Sequence, residues 1–185
     1  MHALEVIDSK RVSHLPFVGW WSPAGLWRIL SGVGGDGDGW VECICGRRHW
    51  GLNGAAGLLL VQERSILLQH RAPWSHNGDT WGLPGGARDS NETAIEAALR
   101  EANEEAGIQT ELVDVLLVER EDHGNWAYDT VIASAQIGLT AYVANHESLE
   151  IRWVALNEVA DYDLHPAFAK AWRKLHTTIE NSLAF

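Results

Sequence analysis

The sequence predicts one domain of the α/β (α+β) class. Short apolar runs of strand length are bounded by turn-forming residues such as Gly, Pro, Asn and Asp. Two longer segments, residues 93–106 and 166–181, carry apolar residues at helical spacing. The order along the chain is strands, a helix, more strands and a closing helix, which is typical of a sandwich of helices and a sheet. A length of 185 residues is enough for one such core.

Residues 1–40 differ in composition from the rest of the chain. They contain Trp20, Trp21 and Trp27, followed by a glycine-rich stretch at residues 31–39. Such a stretch is typical of a flexible loop or linker. We interpret residues 1–40 as a Trp/Gly-rich N-terminal extension that packs its tryptophans on a main domain at residues 41–185. Whether the extension closes over the site or forms a homodimer contact stays open.

The strands are predicted from apolar runs between turns. Residues 55–61 and 65–71 form a strand pair, and residues 73–80 (PWSHNGDT) form a turn. Beyond the first helix, the further predicted strands are residues 111–119, 130–137, 139–144 and 151–156.

The first helix has recognisable ends. Thr93 followed by Glu96 is a capping box, and Gly107 is suited to end the helix in the left-handed conformation. Its apolar residues lie within about 60° of one direction on a helical wheel, and they are Ile95, Ala98, Leu99, Ala102 and Ala106. One face of the helix is therefore predicted to be buried.

A second face of this helix carries Glu101, Glu104 and Glu105, at about 180–280° on the same wheel. Like charges this close repel one another and lower helix stability. A Mg²⁺ ion would remove that cost, because it prefers carboxylate oxygens and keeps waters for substrate phosphates. The glutamate spacing alone is equally typical of a solvated acidic face, so both interpretations stay open at this point.

Residues 86–108, GARDSNETAIEAALREANEEAGI, resemble the Nudix box. That pattern is Gly, five residues, Glu, seven residues, Arg-Glu, an apolar residue, any residue, Glu-Glu, any residue, Gly and an apolar residue. The chain meets its fixed positions with Gly86, Glu92, Arg100, Glu101, Glu104, Glu105, Gly107 and Ile108, and WGLPGG leads into it. Ala102 is smaller than the aliphatic residue usual there, which affects packing and not chemistry.

The resemblance implies the Nudix fold, a mixed β-sheet sandwiched between helices, over roughly residues 54–175. It also implies a hydrolase that cleaves a nucleoside diphosphate linkage with Mg²⁺ (or Mn²⁺). Glu101, Glu104 and Glu105 match the carboxylates that hold the ions, and the carbonyl of Gly85 or Gly86 is an expected further ligand. Arg100 matches the residue that braces the box together with Glu92.

The resemblance is MutT-like, which favours hydrolysis of a (deoxy)nucleoside triphosphate, for example oxidised 8-oxo-dGTP, to the monophosphate and pyrophosphate. One alternative is an ADP-ribose or other nucleoside-diphosphate-X pyrophosphatase. That subgroup carries a proline downstream of the box, and residues 122–129 contain none. Another alternative is a non-catalytic nucleotide sensor, but such domains tend to lose box carboxylates that are present here.

Several residues outside the box are candidates for the same site. In ESLEIRWV, Glu147 is the favoured loop ligand for the metal and Glu150 is its competitor; a loop glutamate, or Glu105, would accept the proton of the attacking water. Arg71 is a candidate for the substrate phosphates, with a surface salt bridge as its alternative. Trp126 and Tyr128 are candidates for stacking on the base, with core packing as theirs.

Cys43, Cys45 and His49, in CICGRRHWG, resemble half of a zinc knuckle. Structural zinc normally has four ligands, and the sequence has no cysteine besides these two. Another histidine, such as His14, would have to complete the site. The favoured interpretation is therefore two free cysteines packed near the start of the sheet.

The formal net charge of −11 limits the class of partner. An acidic surface repels a phosphate backbone, so a nucleic acid is not expected. A small phosphorylated substrate fits if cations bridge it to the carboxylates. No membrane partner is expected, because the longest apolar run, residues 55–61, is far shorter than a bilayer requires. With no signal-peptide pattern at the start, the sequence is typical of a cytoplasmic protein.

Overall fold

The computed structural model describes residues 35–183. The chain divides into two units, Met1–Val33 and Gly34–Phe185. The first unit lies outside the described residues, and so do the predicted packing of Trp20, Trp21 and Trp27, the suggested homodimer contact and a role for His14.

Residues 35–183 form nine strands, two α-helices and two short 3-10 turns. The strands are β1 (Trp40–Glu42), β2 (Arg48–Trp50), β3 (Ala55–Gln62), β4 (Ser65–Arg71), β5 (Trp81–Gly82), β6 (Gly85–Ala87), β7 (Val113–Asp122), β8 (Ala127–Ala135) and β9 (Ser148–Ala155). The helices are α1 (Ala94–Ala106) and α2 (Pro166–Leu183), and the 3-10 turns are Thr110–Leu112 and Val159–Asp161. No helix of the described part has the length and apolar character to cross a bilayer.

Strands β3 to β9 form one mixed sheet of seven strands. Its main order is β5-β4-β3-β8-β7, with β6 paired to β3 and β9 paired to β4. The β3–β8 pair is parallel, and the other pairs are antiparallel. Strands β1 and β2 form a separate antiparallel hairpin.

The core lies on both faces of this sheet, as expected for a strand run such as β3 that is apolar at nearly every position. Leu59 and Val61 face α2, where they pack with Phe168, Trp172, Leu175 and Ile179. Leu58 and Leu60 face α1, where they pack with Ala97, Ala98, Ala102 and Ala106. The predicted sandwich of a mixed sheet between helices is confirmed.

The predicted ends of α1 are confirmed. Thr93 accepts a hydrogen bond from the Glu96 backbone, and the Glu96 side chain accepts one in return from the Thr93 backbone. Gly107 ends the helix with φ of 63°, a left-handed conformation that glycine adopts without strain.

The prediction of a strand at residues 139–144 is wrong. This segment forms no ladder, because its backbone donors are used at the end of α1 instead. Tyr142 N donates to Ala106 O at 3.0 Å, and Ala144 N donates to Glu105 O at 3.1 Å. The segment therefore satisfies carbonyl groups that a helix leaves unpaired at its C-terminus. The start of the strand predicted at residues 111–119 is also corrected, because a 3-10 turn occupies Thr110–Leu112.

The hairpin of β1 and β2 is fixed to the sheet through Gly51. Gly51 N donates to Gly39 O at 2.8 Å, and Gly51 O accepts a hydrogen bond from Trp126 Nε1 at 3.0 Å. Gly51 has φ of 108°, and a Cβ atom there would lie 2.3 Å from Gly54 O. Only glycine meets both conditions, because L side chains rarely adopt this φ and the neighbouring atom belongs to the backbone.

We expect Gly51→Ala to lower the free energy of unfolding by about 2–4 kcal/mol, because it adds a backbone clash to the strain of a positive φ. Gly138→Ala is the matched control, since Gly138 also has a positive φ (95°) but has open space around it. The control should lose only about 1–2 kcal/mol. Equal losses of unfolding free energy in urea for Gly51→Ala and Gly138→Ala would contradict the role assigned to the close approach of Gly51 to Gly54 O.

Candidate active site

The predicted carboxylates meet where α1 crosses the short strand β6. Gly85 N donates to Glu105 Oε2 at 2.9 Å. A Cβ atom at Gly86 would lie 2.6 Å from Glu101 Oε1. The absence of a side chain at Gly86 therefore leaves room for the Glu101 carboxylate, and the backbone N–H of Gly85 binds the Glu105 carboxylate.

Two further carboxylates extend this cluster toward solvent. Glu104 is half exposed and lies 3.5 Å from Arg100 Nη1. Glu147 comes from the loop before β9, and its negative charge contributes to raising the pKa of Glu101. The structure thus brings together the three predicted box glutamates and the favoured loop glutamate. The competitor Glu150 is instead paired with Arg152, whose Nε donates to Glu150 Oε1 at 2.7 Å.

Burial and crowding perturb the two inner carboxyl groups. Burial raises the pKa of Glu105 to about 8, with a further contribution from the Glu101 charge; hydrogen bonds from Gly85 and Gln69 and the charge of Arg71 oppose the rise. Burial also raises the pKa of Glu101 to about 7, against the opposing effect of Arg100 and with the help of the charges of Glu104 and Glu147. The protein alone therefore supplies too little positive charge to keep both groups ionised near neutral pH.

Arg100 braces the loop that precedes α1 against the helix. Its Nε and Nη2 donate to the two carboxylate oxygens of Glu92 at 2.6 and 2.9 Å. Its Nη1 donates to Glu101 Oε1 at 2.7 Å, and Nη2 also donates to Ala87 O at 3.0 Å. The planar guanidinium thus fixes the loop, the strand and one site carboxylate in a single arrangement.

Two buried polar residues beside Glu105 were missed by the sequence reasoning. Gln69 Nε2 donates to Ser148 Oγ at 2.9 Å, and Ser148 Oγ donates to Glu105 O at 3.2 Å. Gln69 also contributes a hydrogen bond that lowers the pKa of Glu105. The sequence could have indicated Gln69, because it lies two residues after buried Leu67 on the same face of β4, where an apolar residue is expected.

Arg71 and Tyr128 lie near the inner carboxylates. The charge of Arg71 acts on both Glu105 and Tyr128. Burial raises the pKa of the Tyr128 phenol, as does the charge of Glu105. Its hydroxyl occupies space that Gly57 leaves free, since a Cβ at Gly57 would lie 2.1 Å from it. Gln69 Oε1 and Arg71 Nε are buried and have no hydrogen-bond partner among the described residues.

Trp126 lies with the hairpin rather than with these groups. Besides its hydrogen bond to Gly51 O, its ring is stacked on His49, with centroids 4.1 Å apart and planes 9° from parallel. Its ring centroid is 6.4 Å from that of Tyr128. One face of Trp126 is therefore already covered by a protein side chain, and its stacking on a base stays a prediction.

The structure also brings together Cys43, Cys45 and His49. Their ligand atoms all lie within 4.8 Å of one another. Cys43 is buried, and Cys45 is exposed.

Comparison with known proteins adds a family match and close relatives. The model of the NUDIX domain matches residues 51–175. A Mycobacterium tuberculosis protein named "Putative 8-oxo-dGTP diphosphatase 3" is 53% identical over an alignment of 156 residues that covers 78% of this chain and 71% of that protein. A Bifidobacterium longum "Nucleoside triphosphate pyrophosphatase/Nudix hydrolase fusion protein" is 43% identical over 166 residues, covering 85% of this chain but 34% of the fusion.

Among solved structures, the crystal structure of a Nudix hydrolase from M. smegmatis, RenU, is similar to this chain. The two superpose with a TM-score of 0.71 at 47% sequence identity. The match covers 78% of this chain and 96% of the other.

We expect Arg100→Lys to lower the free energy of unfolding by about 2–4 kcal/mol, because lysine keeps the charge but not the fork that joins Glu92, Glu101 and Ala87. The matched control is Arg64→Lys, since Arg64 pairs with Glu180 but is largely exposed. An exposed pair contributes about 0–1 kcal/mol, so the control should change the free energy of unfolding in urea very little. A loss in Arg100→Lys no larger than in the control would contradict the bracing role.

Proposed function

The chain belongs to the Nudix hydrolase family, and on that premise we propose that it hydrolyses a (deoxy)nucleoside triphosphate to the monophosphate and pyrophosphate. The observation that carries the proposal is the position of Glu105 and Glu101 against the backbone of Gly85 and Gly86, with the charges of Glu104 and Glu147 acting on Glu101. A side chain at Gly86 would fill the space beside Glu101, so the cluster requires this glycine.

The donor set fits a hard divalent cation. Glu105 and Glu101 lie against the backbone of Gly85 and Gly86, and the charges of Glu104 and Glu147 act on Glu101. Burial together with this repulsion raises the pKa values of Glu101 and Glu105. Mg²⁺ and Mn²⁺ prefer oxygen ligands, and a positive ion would favour the ionised carboxylates. We assign the ligand role to Glu101, Glu104, Glu105 and Glu147, with the carbonyl of Gly85 or Gly86 as a further donor.

When bound, the cation supplies neutralising charge for phosphate oxygens and acidity for water. The protein's own residues do the rest. One carboxylate of the cluster, Glu105 or Glu147, accepts the proton of the attacking water. Gly85 N holds the Glu105 carboxylate by a hydrogen bond, and Ser148, itself bound by Gln69, donates to the Glu105 carbonyl. Arg71 and Tyr128 are assigned to the substrate, because Arg71 has a buried donor with no partner in the described chain and Tyr128 lies beside the same carboxylates.

An oxidised purine triphosphate such as 8-oxo-dGTP is the favoured substrate. The support is the name of the M. tuberculosis relative, "Putative 8-oxo-dGTP diphosphatase 3", at 53% identity. The rival substrate class is ADP-ribose or another nucleoside diphosphate linked to a small group. The proline typical of that class is absent from residues 122–129.

We expect 8-oxo-dGTP to be converted to 8-oxo-dGMP and pyrophosphate in the presence of Mg²⁺. The measurement is chromatography of the nucleotide products, with pyrophosphate and phosphate assayed separately. The panel contains the unmodified dNTPs, 8-oxo-dGTP, ADP-ribose, NADH and a dinucleoside polyphosphate. Faster turnover of ADP-ribose would replace the proposed substrate class. Nucleotide binding without turnover of any member would identify a sensor instead.

We expect Glu105→Gln to reduce kcat by about 10²–10⁴ while stabilising the metal-free fold. The pKa of Glu105 is raised in the fold from 4.5 to about 8, so the stability that Glu105 contributes is present below pH 4.5 and is lost as the pH rises toward 8. At pH 8 in EDTA, the variant should exceed wild type by about 1 kcal/mol or more in free energy of unfolding.

Glu104→Gln is the control for the loss of kcat combined with the gain in stability, because Glu104 is half exposed. It should lower activity without the gain in stability. Thermal unfolding in EDTA between pH 4.5 and 8 measures the difference between the two variants. If wild type and Glu105→Gln have parallel stability profiles across that range, the buried charge at Glu105 is not the destabilising group.

A further inference from the structure

Both cysteines of the chain lie beside one imidazole in the β1–β2 hairpin. The chain has two cysteines in all, Cys43 and Cys45. Cys45 Sγ lies 3.2 Å from His49 Nε2, and all three ligand atoms lie within 4.8 Å of one another. This cluster is made of different residues from the carboxylate site on α1.

The backbone of the hairpin accounts for the convergence. Cys43 N donates to Arg47 O, and Gly46 N donates to Cys43 O, both at 2.9 Å. Gly46 has φ of 80°, which closes the turn tightly. His49 then follows on β2, where it is paired with Val41. The turn thus brings the two thiols and the imidazole to one end of the hairpin, although Cys45 gains no burial there.

The cluster is supported by the turn between β7 and β8. Cys43 Sγ donates to His123 O at 3.3 Å, and Ile44 N donates to Asn125 Oδ1 at 2.9 Å. His49 stacks on Trp126. This stacking holds the His49 ring in one position.

We propose that Cys43, Cys45 and His49 bind one zinc ion, with a water molecule in the fourth position. Thiolate and imidazole are the ligands that zinc prefers, and they are soft donors that Mg²⁺ does not use. Ligands of a tetrahedral zinc with bonds of 2.0–2.3 Å lie about 3.5–3.8 Å apart. Small side-chain rotations close the present cluster to that size. Binding releases the two thiol protons to solvent.

The zinc would fasten the hairpin to the turn that leads into β8. His49 stacks on Trp126 of that turn, and Ile44 N donates to Asn125 Oδ1; neither contact needs the thiol proton that Cys43 gives up on binding. The same strand β8 carries Tyr128 two residues further on. A metal here therefore stabilises the edge of the domain without taking part in the carboxylate cluster.

The test uses the full chain, reduced, stripped with a chelator and dialysed against Zn²⁺ with excess Mg²⁺. Wild type should retain about one zinc per chain by elemental analysis. Cys45→Ser and His49→Gln should retain none, and the matched control His176→Gln, a histidine of α2 outside the cluster, should bind as wild type does. Cobalt(II) added instead of zinc should give a thiolate-to-cobalt charge-transfer band, which carboxylate ligands cannot produce.

Zinc should also raise the Tm of wild type and of His176→Gln, but not that of Cys45→Ser. The proposal is overturned if wild type retains no zinc, or if cobalt gives no thiolate band. It is equally overturned if mass spectrometry shows that Cys43 and Cys45 form a disulfide with each other instead of binding zinc. None of these readouts depends on hydrolysis, so a failure here leaves the proposed function untouched.

Discussion

The close approach of helix α1 to strand β6 is the constraint on which the site depends. The buried face of the helix toward the sheet is made of alanines, Ala97, Ala98, Ala102 and Ala106. Strand β6 contributes two glycines at the crossing. Small residues on both sides leave room for carboxylates where a close-packed core would otherwise place aliphatic side chains. Ala102, smaller than is usual in the box, belongs to this all-alanine face and is fully buried.

The close approach buries the carboxylates of Glu101 and Glu105 near each other, which lowers the stability of the fold. Hydrogen bonds and ion pairs around them reduce this loss. The side chain of Arg100 is only 17% exposed and joins Glu92 to Glu101. Removing one partner of such a buried pair leaves an uncompensated charge, which is more damaging than never having had the pair. The site is therefore unfavourable for the stability of the isolated chain and favourable for a cation, which is the usual relation between stability and function at active sites.

The parts that the sequence predicts well are local ones. The capping box, the glycine end of α1 and the order of the box residues depend on spacing within about four helical turns. The wheel also separates the glutamates from the apolar stripe, but it gives no sign that Glu105 is buried. The buried residues bonded to each other and to the Glu105 carbonyl, Gln69 and Ser148, are 36 and 43 residues away along the chain and were not singled out. The wrong strand at residues 139–144 has the same origin, since an apolar run does not reveal that its donors are needed at the end of a helix.

The segment between β8 and β9 is irregular, but its backbone is fixed at several points. Irregular surface segments are normally where insertions and deletions are tolerated. Here Tyr142 N and Ala144 N are fixed to the last turn of α1, and Glu147 O accepts a hydrogen bond from Ala72 N at 2.8 Å. Adding or removing a residue between Ala144 and Glu147 would move the Glu147 carboxylate relative to Glu101. The length of the segment between β8 and β9 is therefore restricted, as the length of a paired strand would be, although the segment has no regular secondary structure.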